Sequence, residues 1–585
     1  MLFHFFTLRI VPSGLVARYV ALMVLIGLVV THWLYWWPGR ATDSQLAPEI
    51  ENLDWSDLSI KYGGVQSPIR ELMINASTQF DHLVAQRAGD MWAASGRYRI
   101  RRGRHPPPGF DKWVEAAVES NAIIVEEFFD RIYKDLTPFW GLDPRILRER
   151  ANTWHWVLRI RNGQTAAYVP SRNDANRLDD WATLVREFSM HMPDVDIPLN
   201  IDDEPRLLVP FWEINRLVQE ESEKRKLMPL AEVTREFMDL AAFDKQVRTV
   251  YEPKWTPPDS NHWDIAAGTC RPESAVSSTV QTAQDASNNG VPPNWKPRYA
   301  FQGFVRNWTA ATDVCEQPHL RQMHRAFAQA RDTNTKTTEE LFPVFSGSKF
   351  SINNDILLPG PTYLSDDESR IDGEALRGAW AAKDGKVFWR GDADRLLKML
   401  DGDLVSRLEA GEQDATFSLP SQDLYASGRR EQRELGSWLT AIVDSKSEKP
   451  PPLKSQVKHR FLPDVDGETL SPRFRSLLRS TSLPLKSTLF TEWHDDRLVP
   501  WMHFVPLDYT LQDLHAVLEF FADGSGASNT AARFIAERGA EWADKTLRRE
   551  DMKLYVWRLL LEWARIVDDN RETLAFTGDV MEHPD

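Results

Sequence analysis

The stretch Lys458–Lys486, K-H-R-F-L-P-D-V-D-G-E-T-L-S-P-R-F-R-S-L-L-R-S-T-S-L-P-L-K, decides how this sequence is interpreted. The 585-residue chain is acidic, with a net charge of −15, yet Lys454–Lys486 contains seven Lys or Arg residues and three acids. A basic cluster in an acidic chain indicates a bound anion. Apolar runs typical of strands flank the cluster, and Arg473 and Arg475 follow a turn at the expected start of a helix. Such a place is suited to holding a diphosphate, and a solvated helix face is the alternative.

Five separated blocks, between about residues 95 and 570, carry a family resemblance. They are G-R-H-P-P-P-G-F-D-K-W at Gly103–Trp113 with F-F-D-R-I-Y-K-D-L-T-P-F-W at Phe128–Trp140, F-V-R-N-W-T-A-A-T-D-V-C at Phe304–Cys315, L-F-P-V-F-S-G-S-K-F-S-I-N-N-D-I-L-L-P-G-P at Leu341–Pro361, V-F-W-R-G at Val387–Gly391, and the basic stretch with E-W-H-D-D-R-L-V-P-W-M-H-F-V-P at Glu492–Pro506. In this order they resemble the fungal capsule-associated xylosyltransferases and animal protein O-glucosyltransferases, glycosyltransferase family 90. The resemblance implies an α/β protein of two facing Rossmann-like domains, the GT-B arrangement. It also implies an inverting enzyme that moves xylose or glucose from a UDP-sugar to a glycan or protein hydroxyl.

The candidate general base lies in N-I-D-D-E-P at Asn200–Pro205. This string is similar to N-V-R-D-Y-P of the family, whose Asp is the catalytic base. The resemblance therefore implies that Asp203 deprotonates the acceptor hydroxyl. Asp203 follows a predicted strand, which is where open α/β sheets place their ligands. Asp202 and Glu204 depart from the family string, and an acidic surface turn without chemistry is the alternative.

The candidate donor site combines several blocks. The resemblance implies that Ser471 and Arg473 contact the nucleotide diphosphate and that Arg390 and Gly391 of the W-R-G block lie beside the donor. Glu492 is expected to contact the nucleoside or to position the helix that does.

The chain departs from the family directly after this W-R-G block. Relatives continue with a Ser/Gly-rich turn and a basic residue, whereas this chain has Asp392-Ala393-Asp394-Arg395. Arg395 is the candidate substitute for the basic residue. Because two acids repel a diphosphate, a catalytically weak or inactive protein that binds a glycan or a partner is the alternative function.

Metal and hydrolase chemistry receive less support. Four D-x-D triplets occur, at Asp194/Asp196, Asp392/Asp394, Asp401/Asp403 and Asp464/Asp466. Such a pair holds Mn²⁺ in a different glycosyltransferase fold, but the triplet is frequent by chance in an acidic chain. The resemblance implies a metal-independent enzyme, so we expect no metal and no other cofactor. A glycoside hydrolase needs two carboxylates that flank the bond, and no pattern singles out such a pair.

The N-terminal region predicts a membrane anchor. Tyr19–Trp37 is a nearly uncharged apolar run of the length that a spanning helix needs, with aromatic residues crowding one end. Arg9 and Arg18 precede the run, and acids dominate after Arg40. The positive-inside rule therefore predicts a cytoplasmic N-terminus and a lumenal body, and a cleaved signal peptide is the alternative. We expect a single-pass type II protein of the Golgi or endoplasmic reticulum membrane.

A lumenal body agrees with two N-x-S/T sequons, at Asn75 and Asn307. The two cysteines, Cys270 and Cys315, could pair in an oxidising lumen, although the sequence alone does not show it. The acidic net charge argues against nucleic-acid binding.

The organisation along the chain follows from these assignments. We expect a cytoplasmic tail at 1–18, the anchor at 19–37, a stem and helical region at 38–100, an acceptor-side α/β domain at 101–365 with an insertion near 268–295, a nucleotide-sugar-binding domain at 366–527, and C-terminal helices at 528–585 that pack back on the acceptor-side domain. Within them the apolar spacing predicts helices over 66–96 and 111–134, strands over 154–160 and 166–169, and a strand that leads into a loop over 194–205.

Overall fold

The structure is a computed structural model that describes residues 67–169, 172–245, 249–258, 260–278, 296–328, 336–364, 377–388, 453–466, 470–522 and 526–582. The predicted tail, the anchor and most of the stem lie outside these ranges, as do Arg390, Gly391 and Arg395. Among the described helices, none has both the length and the apolar character that crossing a bilayer requires.

The first predicted helix is two helices, α1 at Pro68–Ala85 and α2 at Met91–Arg102. Asp90 is the N-cap of α2. Its carboxylate accepts a hydrogen bond from the backbone N–H of Ala93 at 2.8 Å, and this bond starts the second helix.

The second predicted helix is also divided, into α3 at Phe110–Glu119 and α4 at Asp130–Leu136. Asn121 has a φ of 53° between them, a left-handed conformation that an α-helix does not contain. The prediction of a single helix in each range was therefore wrong.

Further α-helices are α5 Pro144–Thr153, α6 Arg172–Arg186, α7 Phe211–Lys224, α8 Ala241–Asp244, α9 His262–Gly268, α10 Ala275–Ser278, α11 Trp308–Ala311, α12 Leu320–Met323, α13 Arg325–Ala328, α14 Leu453–Gln456, α15 Phe474–Arg479, α16 Leu514–Ala522, α17 Gly526–Thr546, α18 Arg549–Ile566 and α19 Gly578–Glu582. The strands are β1 Val157–Arg161, β2 Gln164–Tyr168, β3 Val195–Pro198, β4 Ala300–Phe301, β5 Phe304–Val305, β6 Phe345–Ser346, β7 Lys349–Phe350, β8 Ile356–Leu357, β9 Asp384–Val387, β10 His459–Val465, β11 Leu483–Ser487, β12 Phe490–Thr491 and β13 Val505–Pro506. Short 3₁₀ turns include Glu126–Phe129, Thr137–Gly141, Val314–Glu316, Pro361–Tyr363 and Asp495–Arg497. The prediction of a mixed α/β fold is confirmed.

The first sheet has the order β2-β1-β3, and both pairings are antiparallel. Asn162 and Gly163, with φ values of 50° and 73°, form the two-residue loop between β1 and β2. Such a loop joins only antiparallel strands, so these strands lack the alternation of parallel strands and helices that the implied Rossmann-like domain would have here. One parallel β-bridge extends this sheet, because Leu199, directly after β3, pairs with Phe345 of β6.

The second sheet has the order β13-β11-β10-β9, and all its pairings are parallel. Helix α15 lies in the connection from β10 to β11. Parallel strands end at the same edge, so the residues that follow β9, β10, β11 and β13 converge there. The three predicted donor-site residues that the structure describes, Ser471, Arg473 and Glu492, lie near this edge.

The C-terminal helices pack on both parts of the fold. In α18 the indole N–H of Trp563 donates to the carbonyl of Asp196 in β3 at 2.9 Å, and the indole of Trp113 in α3 donates to the carbonyl of Leu554 at 2.8 Å. In α17, a Cβ on Gly539 would lie 2.2 Å from the carbonyl oxygen of His503, so only glycine lets this helix approach the loop after β12.

Candidate functional site

Asp464 is the centre of the polar groups at the edge of the parallel sheet. It lies near the end of β10 with 1 % of its surface exposed. The hydroxyl of Ser471 donates to its Oδ1, and the Nζ of Lys486 lies 3.6 Å from its Oδ2. A guanidinium nitrogen of Arg473 lies 3.9 Å from Oδ1. The structure therefore brings the predicted residues Ser471 and Arg473 together through one buried carboxylate.

Glu492 lies on the next loop and is also buried, at 2 % exposure. Its carboxylate lies 3.3 Å from the Nζ of Lys486 and accepts a hydrogen bond of 2.5 Å from the hydroxyl of Tyr363. The Nε2 of His494 is 3.3 Å away. Burial alone would raise the pKa of Glu492, but the charges of His494 and Lys486 outweigh it and lower the pKa to about 2. Glu492 is thus a permanently charged partner of buried cations.

His494 is fully buried between two carboxylates. Its Nδ1 lies 3.5 Å from Asp495, and its Nε2 faces Glu492. Burial would lower the pKa of His494, but the negative charges of Glu492 and Asp495 beside the ring raise it to about 9. The imidazole therefore carries a positive charge at neutral pH.

The two arginines of the expected helix start have different surroundings. Helix α15 contains only six residues, so its dipole contributes little at this edge. Arg475 is buried and donates from Nε to the carbonyl of Leu547 at 2.7 Å, just beyond the end of α17. The side chain of Arg473 keeps 26 % exposure at the sheet edge. Arg475 is therefore a packing residue, and Arg473 is the arginine that an incoming anion can reach.

Asp203 lies in an exposed turn after β3. The side-chain amide of Asn200 donates to the carbonyl of Glu204 at 2.8 Å, and Arg206 donates from Nε to Asn200 Oδ1 at 2.7 Å. Arg206 also pairs with Asp202, the neighbour of Asp203. The turn is thus held by its flanking residues, while the carboxylate of Asp203 is exposed.

Asp355 anchors this turn from below. Its carboxylate accepts hydrogen bonds from the backbone N–H groups of Arg206 at 2.9 Å and Leu207 at 2.8 Å, and from the hydroxyl of Ser346 at 2.7 Å. Burial raises the pKa of Asp355, and the hydrogen bonds from Ser346 and the two N–H groups oppose that shift. A buried ion pair continues the network, since Lys349 Nζ lies 2.7 Å from Asp135 Oδ1.

One strand pair connects the Asp203 turn with the Glu492 loop. In the antiparallel pair of β7 and β12, Lys349 lies opposite Thr491, the residue before Glu492. The hydroxyl of Ser348, directly before β7, donates to the carbonyl of Asp203 at 3.4 Å. The candidate base and the candidate donor residues therefore belong to one contiguous set of contacts.

The described D-x-D triplets have protein partners. Asp194 accepts from the N–H of Asn162 at 2.8 Å, and Asp196 lies 2.9 Å from Arg161. Asp466 accepts from the N–H of Leu489 at 2.7 Å. Within the ranges that the structure describes, no group of three His, Cys, Asp or Glu residues is placed to hold a metal ion. Asp392/Asp394 and Asp401/Asp403 fall outside those ranges.

The predicted lumenal features are also placed by the structure. Cys270 and Cys315 form a disulfide that joins the end of α9 to the turn Val314–Glu316. Asn75, on α1, and Asn307, which caps α11, are both exposed.

Comparison with known proteins bears on this geometry. Residues 324–575 match the family profile described as "Glycosyl transferase family 90". Residues 324–575, which are 252 of the 585 residues, are therefore similar to glycosyltransferase family 90. The matched range contains Asp355, the whole parallel sheet and helix α18, whereas Asp203 precedes it.

Curated relatives agree with the family. An "O-glucosyltransferase rumi homolog" of Aedes aegypti is 27 % identical over 285 residues, which are 43 % of this chain and 63 % of the relative. "Protein O-glucosyltransferase 1" of Homo sapiens is 24 % identical over 258 residues, 40 % of this chain and 60 % of the relative. "O-glucosyltransferase rumi" of Drosophila melanogaster is 33 % identical over 110 residues, 18 % of this chain and 25 % of the relative. The first of these matches thus spans less than two thirds of its relative.

Sequence reasoning missed the residues that support the site. Lys486, His494 and Tyr363 surround Glu492, and Asp355 and Lys349 hold the Asp203 turn. The string S-G-S-K-F-S-I-N-N-D at Ser346–Asp355 carried a usable signal, since it places a lysine and an aspartate between the apolar runs 341–345 and 356–358. A charge at such a position needs a buried partner.

Proposed function

We propose that this chain is an inverting glycosyltransferase that moves xylose or glucose from a UDP-sugar to a hydroxyl of a glycan or protein. The single observation that carries the proposal is the parallel-sheet edge within the range similar to family 90, where Arg473 and Ser471 meet at Asp464. A partly exposed arginine at the carboxyl ends of parallel strands is suited to a diphosphate. The names of the curated relatives support glucose as one donor sugar.

In the proposed mechanism each side of the site has one task. Arg473 neutralises the charge that develops on the departing UDP, which lowers the barrier to bond breaking. Asp203 accepts the proton of the acceptor hydroxyl as its oxygen attacks the anomeric carbon, and the bond to the UDP oxygen breaks on the opposite face. Attack on the opposite face inverts the anomeric configuration. The proposed chemistry needs no metal.

The proposed architecture is GT-B, with an acceptor-side domain at 101–365 and a nucleotide-sugar domain at 366–527. The all-parallel sheet supports the second of these, and the contacts of α18 with α3 and β3 support C-terminal helices that pack back on the first. We further propose that residues 19–37 anchor the protein in the Golgi or endoplasmic reticulum membrane. Protease added to sealed microsomes should then spare the body beyond residue 40, and its digestion would contradict this orientation.

Ligand titration tests the proposed activity. The melting temperature of the purified chain is measured with UDP-xylose, UDP-glucose and UDP, because a ligand that binds only the folded state raises it. UDP release is then followed with glycan and protein acceptors. Stabilisation with acceptor-dependent UDP release supports the transferase. Stabilisation by a glycan alone, without UDP release, would favour the non-catalytic glycan-binding protein that the acids at Asp392 and Asp394 suggest.

A further inference from the structure

A cavity of about 390 Å³ lies between helices α2, α4, α7 and α18 and the turn Thr137–Gly141. This volume is in the range of sites for small ligands. Six cationic side chains line it, those of Arg101, Arg102, Arg104, Lys134, Arg225 and Arg565, together with three carboxylates. Among the lining residues the cationic groups outnumber the carboxylates by three, and Glu127, Glu126 and Glu572 next to the lining also pair with Arg101, Arg102 and Arg104.

Three of the five arginines that line this cavity come from one short string, R-R-G-R at Arg101–Arg104. Gly103 ends α2 with a φ of 65°, and this left-handed residue reverses the chain so that Arg104 joins Arg102 in the same lining. Aromatic rings hold both guanidinium groups in place. Arg102 lies 3.7 Å from the ring centroid of Tyr133, and Arg104 lies 3.9 Å from that of Trp140. Such stacking fixes the planar donors before any ligand arrives.

Two of the arginines keep N–H groups that make no hydrogen bond within the protein. A guanidinium has five N–H donors. Arg104 makes side-chain hydrogen bonds to Glu572 and Glu221 only, which occupy two of them. Arg565 is 2 % exposed and bonds to His105, Tyr98 and Glu562, while its Nε is buried without a hydrogen-bond partner. Buried donors without partners are rare, and a bound acceptor would remove that cost.

The cavity is separate from the proposed transfer site. On α4, the carboxylate of Asp135 faces Lys349, beneath the Asp203 turn. Tyr133, which lines the cavity, precedes Asp135 by two residues, or about 200° around an α-helix. The two sites therefore lie on opposite faces of α4.

We propose that this cavity binds the phosphate or carboxylate group of a sugar-sized anionic molecule. The guanidinium group of Arg104 keeps three N–H donors for an oxyanion, and Arg565 adds its buried Nε–H. Lys134 and Arg225 supply further charge at more accessible positions, since Lys134 is exposed and the side chain of Arg225 has 36 % exposure. This second site is independent of whether the chain transfers a sugar.

Calorimetric titration of the full chain tests the proposal with inorganic phosphate, glucose 6-phosphate, glucuronic acid and uncharged glucose. At least one of the three anions should bind, glucose should not, and the tighter of the two charged sugars identifies the preferred oxyanion. In the double variant Lys134→Gln/Arg225→Gln the affinity should fall on the order of tenfold or more. Arg216→Gln is the matched control, because Arg216 also pairs with glutamates on α7 but does not line the cavity. The Arg216→Gln variant should bind the anion with the affinity of the wild type.

Competition and folding controls make each outcome decisive. Saturating UDP should leave anion binding intact, because the cavity is not the donor site. Melting curves establish that the variants are folded. Displacement by UDP, equal binding of glucose, no binding of any anion to the wild type, or equal affinities in the double variant and the wild type would each overturn the proposal.

Discussion

One strand pair connects the Asp203 turn with the Glu492 loop, yet the two carboxylates differ in exposure to solvent. Asp203 is exposed, and the buried Asp355 beneath its turn makes the structural hydrogen bonds. Glu492 is itself buried, and Lys486, Tyr363 and His494 surround it. The exposed carboxylate is free to act on a ligand, whereas the buried one shapes the sheet edge. Substitutions in the first region should therefore change the rate of transfer, and substitutions in the second should change stability.

The largest expected effect is on transfer in Asp203→Asn. Removing a general base typically lowers the rate by about 10² to 10⁴, while the exposed position predicts an unchanged free energy of unfolding and intact donor binding. The measurement is UDP release at saturating donor, beside a melting curve. Asp202→Asn is the control, because Asp202 is the neighbouring carboxylate and pairs with the buried Arg206, and this variant should slow transfer far less.

The outcomes of this pair of variants are distinguishable. A greater rate loss in Asp202→Asn than in Asp203→Asn would mean that the base is the neighbouring residue. If both variants retain the wild-type rate, the turn is an acidic surface without chemistry.

Glu492→Gln tests the buried region. Breaking a buried pair typically costs about 3–5 kcal/mol in the free energy of unfolding, because Lys486 and His494 would lose the carboxylate between them. Denaturant unfolding measures this loss. Glu213→Gln, which removes an exposed pair with Arg216, should cost about 0–1 kcal/mol. Equal stability of the two variants would contradict the structural role of Glu492.

The free energy of unfolding should depend on pH through the protonation of His494. Its folded pKa of about 9 exceeds the usual value of 6.5, so its contribution is complete below pH 6.5 and is lost as the pH rises through about 9. This loss is at most about 3 kcal/mol. Glu492 behaves in the opposite sense, because its contribution is complete above pH 4.5 and is lost as the pH falls through about 2.

Unfolding curves between pH 6 and 10 measure the loss of stability that deprotonation of His494 causes. His494→Gln should flatten the decline over this window, since the variant has no imidazole to release a proton. A decline of the same steepness in the variant would assign the dependence to another group.

The sequence predicted that the donor-side residues lie close together, but it did not predict which side chains surround them. Apolar runs flanking the basic stretch indicated strands, and parallel strands bring Ser471 and Arg473 to one edge. The burial of Glu492 could not be predicted, because Tyr363 is 129 residues away in the sequence. Arg475 was placed at the same helix start as Arg473, but only tertiary packing turns it toward Leu547.

The first sheet shows a signal that was present and not used. Asn162-Gly163 between two apolar runs is a strong indicator of a hairpin, and it predicts the antiparallel pairing of β1 and β2. The support of the Asp203 turn by Asp355 is different. That contact spans about 150 residues, and no local pattern encodes it.

The affinity of UDP for Arg473→Ala tests most directly the central claim, that the parallel-sheet edge binds the donor diphosphate. Removing a charge-assisted hydrogen bond of roughly 1.5–3 kcal/mol should weaken UDP binding on the order of tenfold or more in calorimetric titration. Arg479→Ala is the matched control, because Arg479 ends the same short helix and pairs with Asp544 instead. The account predicts weaker binding in Arg473→Ala and wild-type affinity in Arg479→Ala. Wild-type affinity in a folded Arg473→Ala variant would contradict it.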